Sequence, residues 1–234
     1  MRIYPKLLFL LGIASAVVLV GESSALAQRH YYGRGYGPQP GYGPAPAYGS
    51  WYGYHQHDGF YLRVYAGLGD FQASETYAGA TDTYSGLGVT YGAAFGGVIA
   101  PNLVLYGEFL GTSVTNATLS YGGQTPDYSG LDLTLFGFGP GLAYYFEPIN
   151  LYLSGTLTLT QISFSDTNSA VPLDSTSLGI GFSFMVGKEW WVSPDWGIGI
   201  AGQVHVATMG DTVSGYNTRM RAAVFSILLS ATYN

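Results

Sequence analysis

From Phe60 to the end of the chain, apolar residues alternate with small or polar residues at a period of two. The segment LYLSGTLTLT, residues 151–160, shows this most clearly, because leucines occupy one face and Tyr, Ser and Thr mostly occupy the other. A period of two is typical of a β-strand whose two faces have different surroundings. Five more segments follow this pattern, starting near residues 60, 87, 178, 198 and 225. Less regular strands near 103–113 and 130–146 bring the predicted total to eight.

The predicted connections are alternately short and long. Tight turns are predicted at 100–102, 147–150 and 193–195, where Pro, Asn and Asp suit the backbone of a turn. Longer polar connections are predicted near 72–84, 114–129, 165–176 and 210–218. Short turns at one end and long loops at the other are typical of an up-and-down barrel with an even strand number. Residues 60–234 are therefore predicted to form an all-β, eight-stranded antiparallel up-and-down barrel.

The composition determines which face of this barrel is expected to lie inside. Charged residues make up 9% of the chain and hydrophobic residues 47%, whereas soluble domains are roughly 25% charged. A soluble lipocalin-like barrel would keep its apolar face inside and its charges outside. Here the second face is Gly, Ser, Thr and Tyr, which suits the narrow lumen of an eight-stranded barrel. The apolar face is therefore predicted to contact lipid in a transmembrane barrel, with the soluble barrel as the alternative.

The N-terminal part of the chain has a different pattern. Arg2 and Lys6 precede a 14-residue apolar run, 7–20, and Ala25-Leu26-Ala27 fits a signal-peptidase site. Residues 1–27 are therefore predicted to be a cleaved signal peptide, with an uncleaved anchor as the alternative. Residues 28–59 are rich in Gly, Tyr and Pro and are predicted to be a disordered periplasmic arm. Together with the barrel, this leader indicates the bacterial outer membrane, with the arm and the C-terminus in the periplasm.

Three of the four tryptophans fall in one segment, GKEWWVSPDWG, residues 187–197. Amphipathic aromatic rings concentrate at membrane–water interfaces, and Lys188 can extend its ammonium group to the same level. The segment is therefore predicted to be a periplasmic turn next to an aromatic girdle, with a soluble tryptophan cluster at a barrel mouth as the alternative. The predicted girdle consists of Trp190, Trp191, Trp196, Tyr144, Tyr145, Tyr152 and Tyr233.

Residues 60–234 resemble the small outer-membrane β-barrels related to the transmembrane domain of outer membrane protein A and to the OmpX/Ail group. The resemblance rests on the eight strands, the turn pattern and the aromatic strand ends. The segments GPGLAYYFEPINLYLSG and GKEWWVSPDWGIGIA look like those of uncharacterised secreted barrel-domain proteins, and they supply no individual role. The resemblance implies insertion by the barrel assembly machinery. Such barrels usually end on an aromatic residue, whereas here Tyr233 is penultimate and Asn234 is last.

A few charged residues fall on or next to the predicted strands. Arg63 and Glu108 lie at similar depth on inward faces two strands apart, and they are predicted to pair, because a lone charge there would be costly. Separate hydration by lumen water is the alternative. Arg219 and Arg221 lie at the base of the last loop, where they are predicted to contact lipopolysaccharide phosphates. The remaining members of the predicted polar network in the lumen are Gln203, His205, Tyr61, Tyr65 and Tyr106.

Composition and motifs also restrict the function. The net charge of −6 argues against nucleic-acid binding, and the loop aspartates lack the spacing of a calcium loop, so no metal or cofactor is predicted. His205 has no serine at the position that a lipid A deacylase motif requires, so the chain is not expected to be an enzyme. We expect a closed structural or surface-interaction barrel with four extracellular loops, whose partners are outer-membrane lipid, lipopolysaccharide and an extracellular or cell-wall molecule. A narrow porin-like channel and a lipid-modifying enzyme are the alternatives.

Overall fold

The computed structural model describes residues 59–77, 80–121, 130–147, 149–166, 172–213 and 216–234. In this part of the chain, eight long strands form a barrel and two short strands extend one end of it. No helix among the described residues is long and apolar enough to cross a membrane. The long strands are β1 (Phe60–Tyr77), β2 (Ala80–Ala100), β3 (Leu103–Val114), β5 (Leu131–Phe146), β6 (Leu151–Asp166), β8 (Gly179–Trp191), β9 (Trp196–Val213) and β10 (Tyr216–Tyr233). The short strands are β4 (Thr118–Tyr121) and β7 (Pro172–Ser175).

The sheet closes on itself because β1 pairs antiparallel with both β2 and β10. The closing ladder runs in continuous register from Leu62 opposite Tyr233 to Glu75 opposite Met220. Each other long strand pairs with its two neighbours in chain order, and all of these pairs are antiparallel. The predicted eight-stranded up-and-down barrel is therefore confirmed.

The three tight turns lie where the sequence predicts them. Asn102 closes the β2–β3 turn with φ 62°, and Asn150 closes the β5–β6 turn with φ 50°. Asparagine tolerates this left-handed region better than most residues. In the β8–β9 turn, Val192 N donates to Trp196 O at 2.9 Å and Trp196 N donates to Ser193 Oγ at 3.1 Å. All three turns therefore lie at the same end of the barrel.

The opposite end is taller than predicted. The connections predicted near 72–84 and 210–218 are mostly strand, because β1 continues to Tyr77 and β2 already begins at Ala80, while β9 and β10 are similarly extended. In the other two connections, β4 pairs with the extension of β2 and β7 pairs with β6. These prediction errors share one cause. In these segments the outward residues are no longer apolar, although the hydrogen-bonded pairing of the strands continues.

Near the tight turns, apolar side chains face outward and small or polar side chains face inward. We call this part the turn-end zone, and it extends from the turns to a boundary at Leu68, Leu87, Leu159 and Phe225. In β6, Leu157 is 58% exposed on the outside, whereas Thr156 and Thr158 are buried inside. The prediction about the two faces is therefore confirmed for this zone.

Beyond that boundary the polarity of the wall reverses, in what we call the loop-end zone. In β1, Asp70 and Gln72 are half-buried on the outer face, whereas Phe71 is fully buried inside. In β5, Asp132 and Thr134 lie on the outer face, and the leucines on either side of them face inward. The loop-end zone thus has an ordinary hydrophobic core, which the sequence analysis did not predict. Its fully buried side chains include Phe71, Leu133, Leu135, Ile162, Met209 and Met220.

Candidate functional site

Arg63 is the centre of an aromatic cluster in the lumen of the turn-end zone. Its side chain is fully buried, and its Cζ lies 4.7 Å from the ring centroid of Tyr152, 5.7 Å from that of Tyr106 and 5.8 Å from that of Tyr61. A guanidinium at such distances is attracted to the electron-rich ring faces. Tyr145 completes the cluster by donating a hydrogen bond to Tyr61 Oη at 3.4 Å. Three tyrosine rings therefore lie against a single buried cation, and a fourth tyrosine is hydrogen-bonded to one of them.

The predicted ion pair between Arg63 and Glu108 is not formed. Arg63 Nη2 donates to Ser154 Oγ at 3.4 Å, whereas its Nε and Nη1 have no hydrogen-bond partner among the described residues. The Glu108 carboxylate instead accepts hydrogen bonds from Tyr65 Oη, at 2.8 Å, and from Thr156 Oγ1.

The physical reason is that neighbouring hydroxyl groups already occupy both oxygens of Glu108. Tyr106 stands between the two charges, because its ring packs on Arg63 while its hydroxyl lies 2.9 Å from Thr156 Oγ1. Arg63 and Glu108 therefore belong to one polar cluster without touching. The two side chains face inward as predicted, and only their direct contact is wrong.

The other members of the predicted network make local contacts with neighbouring strands. Gln203 Nε2 donates to Ser183 Oγ at 2.9 Å, and His205 Nε2 lies 3.2 Å from Thr158 Oγ1. His205 Nδ1 is buried and has no hydrogen-bond partner among the described residues. A nucleophile–histidine site needs a group that orients the imidazole through this second nitrogen. No such group contacts Nδ1 among the described residues, and the expectation that the chain is not an enzyme stays a prediction.

Glu189 is a lumen residue that the sequence analysis missed. It is buried, its Oε1 accepts a hydrogen bond from Thr232 Oγ1 at 2.6 Å, and its Oε2 has no hydrogen-bond partner among the described residues. The contact crosses β9 above Gly199, where a Cβ would lie 2.8 Å from Glu189 Cγ. Alternation along β8 could have revealed it, because Ser183 and Met185 already set the inward parity.

The predicted aromatic girdle is only partly placed on the outside of the barrel. Trp196 and Tyr144 are exposed, and the Trp196 ring packs 5.4 Å from that of Tyr233. Trp190 and Trp191 are half-buried, and Lys188 Nζ lies 5.6 Å from the Trp190 ring. Tyr145 and Tyr152 are fully buried in the lumen and therefore do not belong to the girdle. The reason is parity, since Tyr144 and Tyr145 are adjacent in β5 and must face opposite sides.

Glycines provide the space that the lumen tyrosines occupy. Tyr65, Tyr106 and Tyr152 each lie directly opposite a glycine of the next strand in the barrel. A Cβ built on those glycines would lie only 2.3 to 2.5 Å from the tyrosine ring. The high contents of Gly and Tyr are therefore linked, because each ring fills the room that a missing side chain leaves. The three glycines are Gly92, Gly141 and Gly187.

Arg219 and Arg221 lie on the outer wall of the loop-end zone and are exposed. They share no contact with the lumen cluster, because their positions on β10 alternate with the inward residues Met220 and Ala222. The candidate functional residues thus fall into two groups, one in the turn-end lumen and one on the loop-end surface. Within the described residues, no group of three or more His, Asp or Glu side chains could hold a metal ion.

By its fold, the chain is a closed antiparallel β-barrel. No protein-family model matches it, and neither does any curated protein sequence. Among solved structures, it is similar to Neisserial surface protein A, with 17% identity, a TM-score of 0.48, and coverage of 74% of this chain and 96% of that one. It is also similar to the outer membrane protein OprG from Pseudomonas aeruginosa, with 11% identity, a TM-score of 0.46, and coverage of 76% and 98%. A third similar structure is the outer membrane protein AlkL, with 15% identity, a TM-score of 0.45, and coverage of 83% and 96%.

Proposed function

We propose that the chain is an integral outer-membrane barrel with a closed lumen, and that its role is structural or surface interaction rather than transport or catalysis. The reversal of wall polarity between the two zones is the observation that carries this proposal. An apolar outer wall is stable in hydrocarbon, whereas a polar outer wall over a hydrophobic core is what water favours.

The dimensions of the apolar wall support a membrane location. On β1, the outward apolar residues run from Phe60 to Leu68. At about 3.3 Å per residue this is about 26 Å along the strand. A strand tilt of roughly 40° reduces this to a height of about 20 Å, which is close to the roughly 25 Å band of outer-membrane barrels. The loop-end zone would then stand above the membrane as a folded surface.

The packing of the interior supports a closed lumen. Aromatic and charged side chains fill the turn-end zone, and a hydrophobic core fills the loop-end zone. Eight-stranded barrels have interiors that side chains can fill completely. An ion passing along the axis would have to displace buried residues of both zones, such as Tyr152 and Phe71. This supports the surface role over the narrow channel.

Conductance across planar lipid bilayers tests the closed lumen. We expect no steady current from the purified, inserted protein at moderate voltage. The positive control is a variant in which three side chains of the loop-end core are replaced by alanine, namely Phe71, Leu133 and Met220. Once inserted, this variant should conduct, which shows that the assay can detect an opened lumen. A steady current through the wild-type barrel would overturn the closed lumen and favour the channel.

Cysteine labelling tests the membrane location and the orientation. An environment-sensitive fluorophore at Leu229→Cys, 68% exposed in the turn-end zone, should be quenched by lipid-borne quenchers. The same fluorophore at Thr83→Cys, exposed in the loop-end zone, should be quenched by aqueous iodide. On whole cells, an impermeant maleimide should label Thr83→Cys but not Asp195→Cys in the β8–β9 turn. Aqueous quenching at both fluorophore positions would indicate a soluble barrel, and labelling only at Asp195 would invert the topology.

A further inference from the structure

Arg221 lies in a row of three outward side chains on adjacent strands. It is directly opposite Ser74 of β1 on one side and Thr208 of β9 on the other. Adjacent strands are about 4.8 Å apart, so the two hydroxyl groups flank the guanidinium at short range. Arg219 lies one outward position further from the turns, opposite Gly210, which adds no side chain to cover it. Together with Arg219, the row therefore presents two cations and two hydroxyl groups on one face.

The charge on this face is unusual for the chain. Beyond residue 59 there are four basic residues, Arg63, Lys188, Arg219 and Arg221. Arg63 is inside the lumen and Lys188 is at the turn end, so the loop-end outer wall holds the other two. Asp70, the nearest carboxylate on the outer face of β1, accepts a hydrogen bond from Gln72 Nε2 at 3.0 Å. The described residues provide no ion pair for either arginine.

The height of the row matches the polar edge of the apolar wall. On β10, outward Leu229, Ile227 and Phe225 belong to the turn-end zone, and Arg221 lies four residues beyond Phe225. At about 3.3 Å per residue and a tilt of roughly 40°, this is about 10 Å above the last large apolar side chain. Lipid headgroups occupy the layer immediately outside the hydrocarbon.

We propose that Arg219 and Arg221, with the hydroxyl groups of Ser74 and Thr208, bind a phosphate group of an anionic glycolipid in the outer leaflet. The planar guanidinium donates two parallel hydrogen bonds to phosphate oxygens, and the flanking hydroxyl groups can donate to the remaining oxygens. A lipid-borne phosphate fits better than free phosphate, because the acyl chains would lie on the apolar wall directly below the row. This inference rests on the proposed membrane location, with the loop end outside.

Native mass spectrometry of the detergent-solubilised barrel with lipid A tests this binding. The test variant is Arg219→Gln with Arg221→Gln, and the matched control is Lys188→Gln, which neutralises a basic residue at the other end of the barrel. Because the double variant loses the charge-assisted hydrogen bonds to the phosphate, we expect it to bind lipid A at least about tenfold more weakly. Ser74→Ala with Thr208→Val should give a smaller loss, and Lys188→Gln should match the wild type.

Dephosphorylated lipid A and inorganic phosphate identify the source of the phosphate. We expect dephosphorylated lipid A to bind weakly to the wild type, and millimolar inorganic phosphate to compete poorly with lipid A. Equal lipid A binding by the double variant and the wild type would overturn the inference, as would full competition by inorganic phosphate.

Insertion into phosphatidylcholine vesicles, read as a heat-modifiable gel shift, separates this inference from the proposed function. Insertion of the wild type without selective lipid A binding would overturn the inference alone. Failure of the wild type to insert would overturn the proposed function as well.

Discussion

The turn-end and loop-end zones are built from the same strands, yet they bury opposite kinds of side chain. In β6, the inward residue changes from Thr160 to Ile162 and the outward residue from Leu159 to Gln161 within one row. The continuous β5–β6 register excludes a one-residue slip as the cause, because a slip would move every side chain to the other face. The types of inward and outward residue therefore exchange at this boundary while the backbone pairing stays the same. On our proposal, the boundary marks the edge of the membrane.

This comparison also explains why two kinds of interior coexist in one barrel. In the turn-end zone, leucine and phenylalanine form the outer wall, and Gly, Ser, Thr and Tyr line the lumen. Hydroxyl groups there can hydrogen-bond to one another, as Thr90 of β2 and Thr112 of β3 do at 2.9 Å. A polar outer wall leaves leucine and methionine for the loop-end interior, where they pack without hydrogen bonds. The two zones should consequently respond differently to the same type of substitution.

The largest difference is expected for the removal of a leucine side chain. Leu133→Ala in the loop-end core should lower the free energy of unfolding by about 2–5 kcal/mol, because it leaves a cavity in the core opposite Phe164 of β6. Leu157→Ala, on the outer wall of the turn-end zone, should have a smaller effect, because lipid can fill the space. Urea unfolding in lipid vesicles measures both, and equal losses would contradict the distinction between the two zones.

The second-largest difference in stability between the two zones is expected for a charge placed on the outer wall. Leu229→Lys puts an ammonium group at the middle of the apolar wall, midway along β10 between the boundary at Phe225 and Tyr233, where a lysine costs about 2–4 kcal/mol in a bilayer. Thr83→Lys makes the same charge change at an exposed position of the loop-end wall, where surface substitutions alter stability by at most about 0.5 kcal/mol. The comparison is made by urea unfolding in vesicles. A tolerated lysine at position 229 would indicate that water surrounds both zones.

The alternation of residues predicted more of the fold than of the site. It supplied the eight strands, the three tight turns and the faces of the turn-end zone, because parity in a strand determines the face. It failed at Ser74, Thr76 and Thr81, where polar outward residues look like a loop although the ladder continues. A reversed alternation, such as LDLTL at 131–135, was the available signal. Contacts across the lumen were harder to predict. The position of a residue in a strand determines whether its side chain faces inward, but it does not show which other side chains lie between two inward residues.

The tyrosine–glycine pairs give a sharper test of the turn-end lumen. Gly187→Ala would place a Cβ 2.4 Å from the Tyr152 ring, and overpacking of this kind costs about 1–3 kcal/mol of unfolding free energy. Gly107→Ala is the matched control on the outer wall, because its nearest neighbour, the Phe95 ring, is 3.6 Å away, an ordinary contact distance. We expect the control to unfold like the wild type. Similar losses in both variants would mean that glycine is needed for the backbone rather than for the ring.

The smallest expected effect is the coupling between Arg63 and Glu108. Glu108→Gln should lower the free energy of unfolding by about 1.5–3 kcal/mol, because Tyr65 and Thr156 no longer donate to a carboxylate. Since Arg63 does not touch Glu108, adding Arg63→Met should change the free energy of unfolding nearly additively, with a coupling energy below about 1 kcal/mol.

The matching cycle pairs Arg63→Met with Glu189→Gln. Glu189 lies within electrostatic range of Arg63, and its Oε2 accepts no hydrogen bond from the described residues. We therefore expect the Arg63–Glu189 coupling to exceed the Arg63–Glu108 coupling when both cycles are measured by urea unfolding in the same vesicles. Removing one member of a direct buried ion pair destabilises by about 3–5 kcal/mol, and removing both destabilises by less. Such strong non-additivity between Arg63 and Glu108 would show that the two side chains pair directly. The hydrogen bonds from Tyr65 and Thr156 would then not be the main stabilisation of the Glu108 carboxylate.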